Sequence, residues 1–266
     1  WWQRLLWWMP CAGMVVYTCA LASIRSFAPS DLTWLNTYLF LLGMFVGPKA
    51  IFTLSSFVGW IVRKYITHTH RNWGHYVGLI LGTIAFCVYV YGLTAGFSAI
   101  RVRHIDLSFN DLPPSFDGYR IVHLSDLHLG TFDGWRKKIL KAEMDSIGQQ
   151  KPDLICFTGD LQNMRPREVE KMLPVIRQAM RGTIAVLGNH DYTEYIKGNP
   201  KEKAAQEARL IAVEEKLLVW TLLRNQNIVI TSSGGDSIYI CGTENDGRPP
   251  FPNYSDYRNA TKGIGR

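Results

Sequence analysis

Acidic side chains are nearly missing from the first hundred residues: Asp31 stands alone there against Arg4, Arg25, Lys49, Arg63, Lys64 and Arg71. The remainder holds 23 of the 29 Lys and Arg residues and 21 of the 22 acids, so the two parts do not read as one uniform globule. Most of the net charge of +7 sits in a few loops beside apolar segments and forms no basic stripe, so no nucleic-acid partner is expected. No acid lies inside an apolar segment, where it would mark an ion or proton path, and this weighs against a transporter. Cysteine supplies no disulfide framework, because Cys11, Cys19 and Cys87 lie in apolar stretches and leave Cys156 and Cys241 as the one pair the rest could form. Internal repeats are absent, and no histidine follows His190.

Long apolar runs, by contrast, are plentiful before residue 100. They extend from about Leu5 to Ala22, Trp34 to Val62 and Tyr76 to Ile100, each near or above the roughly 20 residues that cross a bilayer. Trp1, Trp2, Trp7, Trp8, Trp34, Trp60 and Trp73 mostly flank these runs, where indole rings favour the headgroup zone. Three spanning helices are expected over residues 1–100. The middle run carries Gly47-Pro48-Lys49 at its centre, which either kinks one helix, the favoured reading, or divides a re-entrant pair. Arg63, Lys64 and Arg71 share one short connection while the Arg25 connection holds one cation, so the former is expected in the cytoplasm. That makes a multi-pass membrane protein whose residues 101–266 lie in a periplasm or outside the cell. A run of apolar segments does not suit a cleavable signal peptide, and a chain opening at Trp1 is expected to be a fragment. His68, His70 and His75 lack carboxylate or thiol company and read as a solvated loop.

Beyond His104 the pattern turns soluble. Ile105 to Phe109 alternates like a strand, and Asn110 to Gly118 reads as a loop. Apolar runs at Tyr119 to Leu124, Asp153 to Thr158 and Thr183 to Leu187 alternate with helix-like stretches Asp133 to Ile147, Arg165 to Met180 and Lys201 to Trp220. Alternation of this kind favours parallel pairing in an α/β layer fold. Asn227 to Thr231 and Ser237 to Cys241 add two more strands.

Each of the three apolar runs ends in residues that bind metals. The first runs into Ser125-Asp126-Leu127-His128, the second into Gly159-Asp160, the third into Gly188-Asn189-His190-Asp191. Side chains at the carboxyl ends of neighbouring parallel strands converge in the crevice above the sheet. A set of carboxylate, imidazole and amide oxygen suits divalent Mn, Fe or Zn, and two such ions at about 3.5–4 Å can clamp a phosphate ester and activate a hydroxide. Singly, each motif is an ordinary turn or cap; together and in order they are hard to obtain by chance.

The blocks SDLHLG, FTGDL and LGNHD resemble the calcineurin-like metallophosphoesterases, whose pattern runs D-x-H, G-D, G-N-H-[DE]. The resemblance covers residues 119 to 191. It implies that Asp126 and His128 bind one ion, Asp160 bridges two divalent ions, and Asn189 binds the second. His190 would be a non-ligand that contacts the phosphate or protonates the leaving oxygen, oriented by Asp191. The family continues with another metal-binding histidine and a G-H-x-H block, so the missing histidines imply truncation soon after the run Gly242 to Asn245 and Pro249 to Pro252, which is similar to the segment of membrane-anchored bacterial members just before those blocks. The implied fold is two sheets flanked by helices, here incomplete, and the implied activity is phosphohydrolysis beside a membrane on a phosphorylated substrate. Tethering suits a lipid-linked phosphoester or pyrophosphate and serves a soluble one equally. The rivals are a binding or scaffold protein with a degenerate site, and a membrane protein whose soluble part regulates its helices.

Overall fold

A computed structural model describes residues 1–23, 33–196, 198–249 and 251–264. Arg25 and Asp31, with the first connection, lie outside the described residues. The chain divides into two compact units, Trp1–Ala99 and Ile100–Arg266.

Three helices of the first unit are long and apolar enough to cross a membrane: Trp2–Ala22, Thr33–Thr67 and Trp73–Gly96. The first is α1 (Trp2–Ala22). The second joins α2 (Thr33–Leu41) to α3 (Gly47–Val62) through a π-helical turn, Leu42–Val46. It is therefore one continuous helix and not a re-entrant pair. The widened turn falls where it should, since Pro48 offers no N–H and its ring crowds the carbonyl of residue 44. At 35 residues this helix is about 50 Å long, more than the roughly 30 Å of a hydrocarbon core. Lys49 lies near its middle, where its ammonium donates to the Trp7 carbonyl at 2.5 Å and sits 4.7 Å from the Trp7 ring centre, so the charge is partnered.

The third span opens with α4 (Trp73–Tyr91), capped by Asn72, whose side chain accepts from the Gly74 N–H at 3.0 Å. Gly74, Gly78 and Gly82 lie one turn apart and are the buried residues of α4. Methyl groups there would fall on the carbonyls of Ser55, Phe52 and Pro48, so the stripe lets α4 lie against the backbone of α3. His75 binds the Ser56 hydroxyl through Nδ1 at 2.9 Å, and the loop histidines form no metal cluster among the described residues.

The second unit is α/β. Strands β1 (Ile121–Leu124), β2 (Leu154–Phe157), β3 (Ile184–Ala185) and β4 (Thr221–Leu222) form a parallel sheet in that order. Strands β5 (Gln226–Thr231) and β6 (Ser237–Gly242) form an antiparallel hairpin. Leu154, Ile184 and Leu223 on the parallel sheet pack with Ile228, Ile230 and Ile240 of the hairpin, a core between two sheets. Three helices, α5 (Lys137–Gln149), α6 (Pro166–Ile176) and α7 (Pro200–Ala212), bury Leu140, Met144, Val169, Met172, Ile176 and Leu210. A short α8 (Tyr257–Ala260) is tied to β5 by Asn227, which donates to the Ala260 carbonyl. Three apolar helices followed by an α/β unit with a parallel sheet match the expected class.

Details differ from the sequence reading. Ile105 to Phe109 is not a strand: Ile105, Leu107 and Phe109 are exposed, and among the described residues no strand pairs with them. Alternation specifies a two-faced strand, yet a ladder also needs a neighbour. Thr221–Leu222, just past the expected third helix, is a strand through its pairing with Ile184 and Ala185. The third helix leaves α geometry at Val213–Leu217, a π-helical turn. Cys156 and Cys241 are both free.

Candidate metal centre

Each motif occupies the loop just past a strand of the parallel sheet. Backbone bonds lace the first two loops together: Asp126 N–H to Gly159 O, His128 N–H to Asp160 O, and Leu129 N–H to Leu161 O, at 3.0, 3.0 and 2.9 Å. Asp126, His128 and Asp160 all have positive φ, at 55°, 42° and 62°. Such left-handed non-glycine residues cost of order 1–3 kcal/mol each and persist where the surroundings enforce them, commonly at sites. The two glycines of the second and third motifs make the approach possible. A methyl on Gly159 would strike the backbone of Gly188, and one on Gly188 would strike Asp160.

The result is a cluster. Ligand atoms of His128, Asp160 and His190 lie within 4.8 Å of one another. His128 Nε2 is 3.7 Å from the Asp160 carboxylate and 3.9 Å from that of Asp126. Asp126 stands at the rim, its side chain 64% exposed, and takes a short hydrogen bond from the Ser125 hydroxyl. The His128 and His190 rings meet edge to face at 4.7 Å. Asn189 donates through Nδ2 to the Tyr195 hydroxyl at 2.6 Å, which leaves its carbonyl oxygen for another partner.

Protonation follows from the acceptors. Nδ1 of His128 faces the Gln162 carbonyl at 3.2 Å and Nδ1 of His190 faces the Asn163 carbonyl at 2.7 Å. A carbonyl only accepts, so both Nδ1 atoms carry hydrogen, and in the neutral rings each Nε2 offers a lone pair. Two consecutive carbonyls thus orient two imidazoles. Their loop is held from below by Glu168, whose carboxylate accepts from Asn163 N–H at 2.7 Å and Met164 N–H at 3.1 Å. Burial pushes the Glu168 carboxyl up, while those backbone N–H groups and His128 pull it down.

The fully buried Asp191 carboxylate accepts from the backbone N–H groups of Asp160, Leu161 and Gly188 at 2.8, 3.1 and 2.9 Å, with Gln162 N–H at 3.4 Å. The His190 ring meets the Asn163 carbonyl through Nδ1 at 2.7 Å, while the Asp191 carboxylate is engaged by these backbone groups. Burial pushes the Asp191 carboxyl up to about 7 against the pull of the Gly188 N–H. His190 lies beside Asp160 and His128 in this cluster. Tyr195, whose ring lies tilted against His190 at 4.5 Å between centres, and the carbonyls of Gln162 and Asn163 were missed. Backbone acceptors carry no residue signature, and a tyrosine outside the blocks has no spacing to single it out.

The donor set fits divalent ions. It gathers imidazole nitrogen and carboxylate oxygen, lacks thiolate, and has both imidazoles fixed through Nδ1 by carbonyls, the arrangement that orients metal-bound histidine.

The comparisons agree with this geometry. Residues 119–255 match the family model "Calcineurin-like phosphoesterase", and residues 1–97 match "Probable Calcineurin-like phosphoesterase, transmembrane domain". The first match spans just over half of the chain, so the chain belongs to the calcineurin-like phosphoesterases. It is similar to "Uncharacterized metallophosphoesterase YkuE" of Bacillus subtilis, 36% identical over 32% of this chain and 30% of that one. It is also similar to "Uncharacterized metallophosphoesterase YkoQ" of the same organism, 26% identical over 59% and 55%. "UDP-2,3-diacylglucosamine pyrophosphatase LpxG" of Chlamydia trachomatis is 36% identical over 36% of this chain and 30% of that one. The chain thus spans between 30% and 55% of the length of these relatives. No solved structure matches it.

Proposed function

We propose that the chain forms part of a membrane-tethered phosphohydrolase that holds two divalent ions and cleaves a phosphoester or pyrophosphate. The observation that carries this reading is the convergence of Asp126, His128 and Asp160 at the carboxyl ends of parallel strands, with His128 Nε2 3.9 Å and 3.7 Å from the two carboxylates and His190 beside them. Asp126, His128 and Asp160 would hold one ion, and Asp160 with Asn189 the other. Once bound, the ions would supply Lewis-acid polarisation of phosphate oxygens and a nucleophile ionised at neutral pH.

The chain's own residues do the rest. The Gln162 carbonyl fixes His128 so that Nε2 faces Asp160. His190, held by the Asn163 carbonyl through Nδ1, would when cationic offer a proton from Nε2 to the leaving oxygen. The ordinary worth of such help is about 10²- to 10⁴-fold in turnover. A membrane substrate is favoured by the three spans and by the relative whose name specifies a diacylglucosamine nucleotide.

Turnover of a chromogenic phosphodiester by the whole protein to which this chain belongs, with added Mn, before and after chelation, tests the reading. It predicts Mn-dependent hydrolysis that drops in His190→Ala with metal content kept. Chelator-resistant turnover, or none in any metal, would sink it.

A position of the second unit outside the cytoplasm is part of the same reading, supported by the cations Arg63, Lys64 and Arg71 in one short loop and by three crossings. An impermeant thiol reagent on intact cells, with Lys201→Cys in a cysteine-free background, tests that: labelling only after lysis would reverse the topology.

A further inference from the structure

The turn after His128 ends in a patch that the phosphate chemistry does not use. Two 3-10 turns, Leu129–Phe132 and Gly134–Arg136, lead into α5, and Trp135 in the second is 57% exposed. The helix buries Ile139, Leu140, Met144 and Ile147, so its core contact does not need that indole. Cations bracket the ring: the Arg136 guanidinium lies 5.6 Å and the Lys138 ammonium 5.8 Å from its centre. Lys137, Lys138 and Lys141 are exposed. The acid at the same corner, Asp133, is met by Lys171 at 2.8 Å; Asp145 lies two turns further along α5.

This charge stands at the wrong end of the helix for stability. The first turn of α5 has no acidic residue and opens with two lysines, where the positive end of the macrodipole repels them. A local rule broken without gain in packing points to a gain elsewhere. An exposed indole among cations is the composition of an interfacial anchor, and juxtamembrane cations are drawn to anionic headgroups.

We propose that Trp135, Arg136, Lys137, Lys138 and Lys141 form a docking corner for an anionic lipid surface, the indole in the headgroup layer and the cations on lipid phosphates. The chain's own spans keep a bilayer within reach. The corner is wired to the metal centre: Arg136 donates to the Thr131 carbonyl at 3.5 Å, Thr131 N–H to the His128 carbonyl at 2.8 Å, and Asn163 to the Thr131 hydroxyl at 3.1 Å. Docking therefore fixes the segment that carries His128 against the headgroup layer. The inference goes beyond the phosphohydrolase reading and does not depend on turnover.

Amide hydrogen exchange of the full chain in nanodiscs tests it. Discs of phosphatidylcholine alone are compared with discs containing about one-third phosphatidylglycerol, enough to set a negative surface potential. Residues 133–141 should exchange severalfold more slowly in the anionic discs. That protection should vanish in the Lys137→Glu, Lys138→Glu, Lys141→Glu triple variant, and for the parent chain in about 1 M salt, where the Debye length is about 3 Å. Trp135→Ala should weaken it. Exchange in the β5–β6 hairpin serves as the folding control, and the salt arm decides should the triple variant misfold. Equal exchange in both discs would overturn the proposal. Protection that survives charge reversal in a folded variant, or appears equally in detergent and so marks a protein contact, would overturn it too.

Discussion

The Asp191 carboxylate accepts the backbone N–H of Asp160 at 2.8 Å, which joins the third motif to the second through main chain and not through an imidazole. With Leu161, Gln162 and Gly188 also donating, one buried side chain satisfies four amides at the bend of two loops. The residue that most resembles part of a catalytic pair is a structural staple.

Removing the staple should therefore unfold more than it slows. Asp191→Ala leaves buried amides unpaired at about 1–3 kcal/mol each, a large share of the 5–15 kcal/mol that typically holds a domain. Limited proteolysis of the second unit should show rapid cleavage in Asp191→Ala and intermediate behaviour in Asp191→Asn, which keeps one acceptor oxygen. A proteolytically stable Ala variant with low turnover would return Asp191 to a catalytic role.

Glu168 acts one step behind the histidines. Glu168→Ala frees the Asn163 and Met164 N–H groups and loosens the carbonyls that orient His128 and His190. Loss of such support typically weakens metal affinity 10- to 100-fold, with about the same expected here. Mn titration against a chromogenic chelator measures it, and Glu168→Gln should recover part of the loss by retaining one acceptor. Unchanged affinity in the Ala variant would show that the loop holds itself.

Glu214 predicts a pH dependence. Its carboxyl is buried beside Leu210 and Leu218 in sequence, one oxygen lacks a hydrogen-bond partner, and burial, followed by the nearby Asp191 charge, raises it well above the usual 4.5. The folded chain thus keeps a proton that the unfolded chain gives up. The stabilising contribution is complete below the unfolded value and is lost as pH rises through the folded one. Glu214→Gln, neutral at every pH, should raise the thermal midpoint of the second unit at pH 8 and leave it nearly unchanged at pH 4. An equal shift at both would refute a protonation origin.

Gly74 tests the packing of the spans. A methyl there would strike the Ser55 carbonyl and come within 2.7 Å of Gly59 Cα, so Gly74→Ala must move α4 off α3. Overpacking of this kind costs about 1–3 kcal/mol. Detergent titration followed by circular dichroism should show earlier loss of helix, whereas Gly92→Ala, with nothing within 4 Å of its new methyl, should behave as the parent. Equal midpoints for both variants would mean that the glycine stripe does not set the contact.

The spans and the strand-end motifs were legible because hydropathy and side-chain chemistry declare themselves residue by residue. The continuity of Thr33–Thr67 across Pro48 was legible as the favoured reading, since a proline removes one donor and a π turn absorbs its ring. What escaped was relational. Ile105 to Phe109 alternates correctly but lacks a neighbour, and Thr221–Leu222 is a strand only because Ile184 and Ala185 lie beside it. The carbonyls behind His128 and His190 belong to Gln162 and Asn163 as main chain, so no choice of side chain could announce them.

The two-ion reading turns on Asp160, which reaches His128 with its carboxylate and accepts His190 N–H at 2.9 Å. Metal content of the purified full chain, measured by elemental mass spectrometry after loading with Mn, compares parent with Asp160→Asn. Loss of both ions in the variant is expected, because a bridging carboxylate serves each of them, with secondary structure by circular dichroism unchanged. Full occupancy in Asp160→Asn, or a parent chain that takes up no metal, would contradict the account.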